Sequence, residues 1–202
     1  MKLFTQLFIK LSNALWEYKL GINSRGIVYS TPKSDHYHYA TISYHSTMAI
    51  LHNLYLKISD VFVDIGCGKG RVLCCASRFR IQEVIGVEID KDLCAIAQCN
   101  VKKLRGTKTN LQVINTSAEN FDYQVGTVFY LFNPFGILTL SNVLAKMEQS
   151  VRLRPRKLRI VYVNPVHETL LRKSDWLEIY DKWIAEEKFG LMHDVSFWRV
   201  KD

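Results

Sequence analysis

The residues of this chain best suited to do chemistry are three alternating glycines, Gly66, Gly68 and Gly70, with an acid before them and a second acid beyond. Glycine lets the backbone turn sharply and approach a ligand without a Cβ in the way. A strand followed by such a turn and a helix leaves backbone N–H groups pointing above the strand end. Asp64 precedes the turn, and Glu88 follows it at about 20 residues, where nucleotide folds place an acid. A carboxylate only accepts, so Glu88 can take both hydroxyls of a ribose. A third candidate is Asn133-Pro134-Phe135, whose Asn offers a hydrogen-bond acceptor at a turn. Together these residues point to a nucleoside ligand and a reaction beside it.

The elements that must position them follow from the pattern of apolar residues. Val61 to Ile65 is a short β-branched run and reads as a strand buried on both faces. Arg71 to Phe79 resumes at helical spacing, and Glu83 to Glu88 is the second strand. A helix opened by Asp90 and Asp92 follows, then a strand at Leu111 to Asn115 and another at Thr127 to Phe132. After a helix around Leu140 to Met147, strands are expected at Leu158 to Val163, Trp176 to Trp183 and Val195 to Val200. The expected fold class is α/β: a mostly parallel seven-stranded sheet with helices on both faces, its last strand antiparallel, and an N-terminal helical cap.

Two other users of Gly-rich turns fit poorly. A P-loop needs four residues between its glycines and then Lys-Ser/Thr, which is absent. The dinucleotide fingerprint needs its third glycine one position later, where this chain has Arg71, which disfavours an NAD-dependent oxidoreductase.

The remaining pattern, Asp-x-Gly-x-Gly-x-Gly followed by an acid ending the second strand, resembles the class I S-adenosylmethionine-dependent methyltransferases. The resemblance covers residues 58–202 and leaves residues 1–57 as a cap or substrate-side extension. It implies S-adenosylmethionine as cofactor, held by Asp64, Gly66, Cys67, Gly68 and Gly70 of the turn, by Glu88 and Ile89, and by Ser117, Ala118 and Glu119 after the third strand. Relatives often carry an acid where this chain has Ser117, so Glu119 or a backbone carbonyl is the alternative adenine contact. Asn133-Pro134-Phe135 resembles, one proline short, the Asn-Pro-Pro-aromatic motif of amino-group methyltransferases. The resemblance implies that Asn133 borders the cofactor and accepts from the substrate's N–H, with Pro134 shaping the turn and the Phe135 ring holding the substrate. Tyr37, Tyr39, Tyr44 and Thr47 are candidates to close over the methionine end or, equally, to pack the cap. His167 is a candidate base.

Charge bears on the acceptor. The 202 residues carry a formal net charge of +8 and a pI near 9.2. The basic residues fall between helix ends and strand starts, on the edge opposite the turn, where the helix dipole favours them. The site edge is read as acidic, with Asp64, Glu88, Asp90, Asp92, Glu119, Asp122 and Glu168 offset by Lys69, Arg71 and Lys91. An acidic rim attracts amines and repels phosphates, so the methyl acceptor is expected to be an amine such as a protein lysine. The alternatives are an RNA methyltransferase, or a non-catalytic nucleic-acid or membrane-surface binding protein docking by its basic edge.

The rest is exclusion. Hydrophobic residues make up 48% of the chain, which argues against disorder, and no apolar run is long enough to span a bilayer. The N-terminus does not read as a signal peptide. Residues 1 to about 20 form an amphipathic helix, expected to pack on the domain, with an anionic membrane surface as the alternative. Cys67, Cys74, Cys75, Cys94 and Cys99 form no zinc or redox spacing, which suits a cytoplasmic protein. His36, His38 and His45 lack enough partners to make a metal site, and none is expected.

Overall fold

The computed structural model describes residues 2–26, 40–185 and 191–201. Strands β1 (Val61–Ile65), β2 (Glu83–Glu88), β3 (Asn110–Asn115), β4 (Val128–Phe132), β5 (Arg159–Val163), β6 (Leu177–Trp183) and β7 (Val195–Val200) form one sheet in the order β3-β2-β1-β4-β5-β7-β6. Neighbours among β1 to β5 pair in parallel, and β7 runs antiparallel between β5 and β6. The expected α/β class, strand count and antiparallel last strand hold. Chain order reverses between β1 and β4, the place where open parallel sheets bind ligands at their carboxyl edge.

Alternation along the strands divides the core in two. Phe62, Val84, Tyr130, Val161 and Phe197 face one cluster, and Val63, Ile85, Phe129, Ile160 and Trp198 face the other. Helices α2 (Tyr44–Asn53) and α3 (Arg71–Ala76) cover the first face, with Ala97 of α4 (Lys91–Lys103). Helix α5 (Ile137–Leu153) covers the second through Leu140, Val143, Leu144 and Met147, and α6 (Glu168–Arg172) adds Leu171. Each fully buried large side chain here contributes roughly 1.5–3 kcal/mol. Strand β3 is the polar edge, carrying Asn110, Gln112 and Asn115.

The N-terminal helix α1 (Lys2–Leu20) and the segment after it join the first cluster rather than standing apart. Leu20, Ile22, Ile42 and Tyr44 are buried there with residues of β1, α3 and β2. Gly86, in the middle of β2, has a packing reason. A Cβ there would lie 2.4 Å from Leu73 Cδ1 and 2.9 Å from Cys67 Sγ, so α3 and the turn can settle onto β2 only over a glycine.

Candidate functional site

The Gly-rich turn needs its glycines individually: Gly66, Gly68 and Gly70 have φ of 78°, 54° and 82°, in the left-handed region that side chains disfavour. Gly66 and Cys67 both donate their N–H to Val87 O, at 2.9 and 3.0 Å. Gly68 donates to Glu88 Oε2 at 2.8 Å, and Asp90 N–H reaches Glu88 Oε1 at 2.9 Å. The turn and the acid therefore hold one another. Glu88 fills one acceptor position on each oxygen and keeps the others for a ligand.

Asp64 has a different surrounding. It is 3% exposed and accepts no hydrogen bond from any described residue. Desolvation, and then the neighbouring Glu88, hold its carboxyl well above the ordinary carboxylate range. Glu88 is also raised by burial, with the Asp90 and Gly68 N–H groups pulling it back down. Two buried carboxylates side by side favour a cation between or above them. Cys67 is buried and its thiol is pushed up, mainly by desolvation, so it is a neutral wall of the turn.

The turn meets the corner after β4. A Cβ on Gly66 would lie 2.7 Å from Pro134 Cβ, so Asn133-Pro134 rests directly on the turn. Asn133 has φ 36°, a conformation Asn tolerates better than most residues, and its Oδ1 accepts from the buried Tyr162 hydroxyl at 3.1 Å. Asn164 ends β5 in the same way, with φ 51° before Pro165. Phe135 differs from the expectation: it is 3% exposed and packs in the second core cluster, so its ring anchors the corner instead of facing an acceptor.

Beyond β2, Ile89 is 48% exposed next to Glu88, an apolar surface at the rim. Ser117, Ala118 and Glu119 are half-buried after β3. Glu119 accepts from Asn142 of α5 at 2.7 Å, and Ala118 O accepts from the Tyr123 hydroxyl at 2.8 Å.

Several expectations change. Tyr44 is fully buried, stacks on Trp16 and shares a hydrogen bond of 3.1 Å with Ser24, while Thr47 donates to Ser43 O; both pack the fold. Tyr37, Tyr39, His36 and His38 lie outside the described residues. Arg71 is not on the rim. Its guanidinium, 4% exposed, donates to Ser24 Oγ and Ile42 O, lies 3.5 Å from Glu17 and covers the Tyr44 ring. Asp122 does not belong to the site edge either: its carboxylate accepts from Gln124 N–H, and its charge acts on Arg156 near the start of β4. On the basic edge, Arg156 donates to Tyr123 O and Gly126 O, and Arg159 pairs with Asp60 and donates to Leu54 O, so two of its cations serve the fold.

Two residues went unsuspected. Tyr162 reads in sequence as an ordinary strand aromatic, yet it fixes Asn133 and accepts the His167 N–H at 3.4 Å. His193 precedes β7, whose pairing with β5 places it at the site edge, and its ring lies 5.2 Å from Phe132, the residue before Asn133. Burial lowers its pKa, countered in part by Asp194, so the imidazole is neutral at pH 7.

Known proteins are similar to this chain in sequence and in fold. The family model for the histone methylation protein DOT1 matches residues 29–125, just under half of the chain. A protein-lysine N-methyltransferase of Saccharolobus islandicus is 28% identical over 97 residues, which are 48% of this chain and 57% of that relative. The chain thus matches little more than half the length of that curated relative. Among solved structures, an RNA methyltransferase from Salinibacter ruber in complex with S-adenosyl-L-homocysteine is similar with a TM-score of 0.56 and 18% identity, covering 86% of this chain and 95% of that one. A Pyrococcus horikoshii protein assigned provisionally to the RNA methyltransferases reaches a TM-score of 0.64 at 18% identity, covering 96% and 100%. A SAM-dependent O-methyltransferase from Thermotoga maritima gives 0.58 at 15%, covering 81% and 68%. These relatives differ in acceptor, and the family match spans the glycines and Glu88. Over that matched half the chain is similar to S-adenosylmethionine-dependent methyltransferases, and its sheet has their class I, Rossmann-like fold.

Proposed function

We propose that this protein transfers a methyl group to an amine nitrogen, with a protein lysine side chain as the acceptor class. The observation that carries the reading is the seating of Asn133-Pro134 on Gly66, which sets a hydrogen-bond acceptor beside the cofactor turn. The lysine N-methyltransferase activity of the curated relative and the family match support it.

The residues present fit S-adenosylmethionine. Asp64 is a buried carboxylate without a hydrogen-bond donor, suited to a cationic ligand; Glu88 keeps acceptor positions for ribose hydroxyls; exposed Ile89 suits an adenine face. When bound, the cofactor supplies an electrophilic methyl on a sulfonium. The chain's own work is then positional. Asn133 Oδ1, held by Tyr162, accepts an N–H of the incoming amine and aims its lone pair. His193, neutral beside Phe132, takes the proton an ammonium must lose before it can attack. Desolvation between the two corners does the rest. The five unpaired thiols suit a reducing compartment, and we place the protein in the cytoplasm.

RNA is the second reading, supported by the net charge and by the Salinibacter ruber neighbour. The use of Arg156 and Arg159 inside the fold weakens it. The test is methyl-labelled S-adenosylmethionine with a cell lysate, divided between protease and RNase. Label lost to protease and recovered as methyl-lysine supports the proposal; label lost to RNase overturns it.

A further inference from the structure

Helix α1 has two apolar faces, and only one of them is packed against other described residues. Its inner face is fixed: Trp16 stacks on Tyr44, Asn13 Oδ1 accepts the Tyr44 N–H at 3.0 Å, and Leu20 is buried. Glu17 is buried too, accepting from Ser24 N–H at 2.9 Å and lying against Arg71. The helix cannot roll to hide its other side. That side presents Leu7, Phe8, Leu11, Leu15 and Tyr18, each 55% to 78% exposed. At about 100° per residue they fall in one arc about 100° wide, with Lys10 bordering it on one side and Lys19 on the other. Both lysines are exposed, and the single acid of the helix is the buried Glu17.

We propose that α1 is a membrane-surface contact, lying in the interface of an anionic bilayer with its outer apolar arc among the acyl chains. Charge complementarity selects this occupant. An apolar stripe bordered on both flanks by lysines, with no exposed acid, matches a lipid surface whose headgroups are negative and whose interior is apolar. The lysine stems run along the apolar surface while their ammonium groups reach the headgroups. A second protein chain would gain nothing from cations on both flanks unless it supplied acids in register. No described helix is long and apolar enough to cross a membrane, so the contact is peripheral. It stands whichever methyl acceptor is correct.

The test is flotation of the full chain with vesicles in which roughly a third of the lipid is phosphatidylglycerol, against vesicles of phosphatidylcholine alone. The expected result is flotation with the anionic vesicles and its loss in Leu11→Glu/Leu15→Glu. In Lys10→Gln/Lys19→Gln the affinity should fall by roughly fivefold per lysine. All four positions are solvent-facing, so the melting temperature of each variant should match the parent and serves as the folding control. Three outcomes overturn the proposal: no flotation with anionic vesicles; flotation that the leucine variants leave intact, which would assign it to the basic sheet edge; or a parent protein that is a dimer and becomes a monomer in Leu11→Glu/Leu15→Glu, which would make the stripe a contact between copies.

Discussion

The two halves of the sheet are built on different terms. On the β1–β2 side, polar groups are mostly committed: Glu88 holds Gly68 and Asp90, Asn115 donates to Glu88 O and Ile89 O, and Arg71 fastens the N-terminal segment. On the β4–β5 side, the site rests on two Asn-Pro corners and a few half-exposed side chains. The family match ends at residue 125, before β4 begins. The comparison teaches that the half spanned by the family match is the tightly bonded one, and the half beyond it is the more loosely held; under the proposed function these are the receptacle and the acceptor side.

The widest break in this comparison comes from Arg71→Met. It removes one of the two described cations facing buried Glu17 and leaves exposed Arg25 at 2.5 Å, so the loss should approach the roughly 3–5 kcal/mol of a broken buried pair. Urea midpoints should show the loss, and Glu17→Gln should lower them too because it leaves the buried Arg71 cation without its carboxylate. Next is Glu88→Ala, which removes the clasp on Gly68 together with the acceptors offered to ribose. Cofactor affinity measured by calorimetry should drop by about ten- to a hundredfold, from bonds of about 1.5–3 kcal/mol to a charged group. An unchanged affinity would end the idea of a fixed receptacle.

On the other half the effects should be kinetic. Asn133→Ala should leave cofactor affinity within about twofold and lower turnover by about tenfold or more, the scale of one lost positioning contact. Tyr162→Phe, which frees Asn133 and the His167 N–H, should cost less, about 1 kcal/mol in kcat/KM. Equal losses of cofactor affinity in these two variants would erase the distinction between the halves.

Acidity gives the smallest and most discriminating effect. Asp64 and Glu88 have folded pKa values raised above their unfolded ones, so the folded chain binds protons more tightly in the window between. Stability of the free protein is therefore greatest below the ordinary carboxylate range and falls as pH rises through the folded values. A cationic cofactor needs the ionised carboxylates, so its affinity should move the other way and weaken on acidification. Thermal melts with and without S-adenosylmethionine across pH 5 to 8 should converge at the acid end.

Much of the receptacle was legible in sequence because its requirements are local. A left-handed turn demands glycine wherever it occurs, and a buried parallel strand demands β-branched residues at successive positions. Arg71 was misread because its partners, Glu17 and Ser24, are far away in the chain, and no spacing rule links them. Phe135 was misread because an aromatic after Asn-Pro looks the same whether it faces a ligand or the core. The N-terminal helix was only half legible: periodicity sums its two apolar faces into one signal, and which face meets the sheet depends on Trp16 finding Tyr44.

The contact of Gly66 with Pro134 has a consequence for how such an enzyme can diverge. The glycine bend and the Asn-Pro bend touch at the reversal point of the sheet, with no room for even a methyl group between them. Whatever new acceptor a descendant takes on, its changes must come further out, in the segments beyond the corners. The two bends are inherited as one unit.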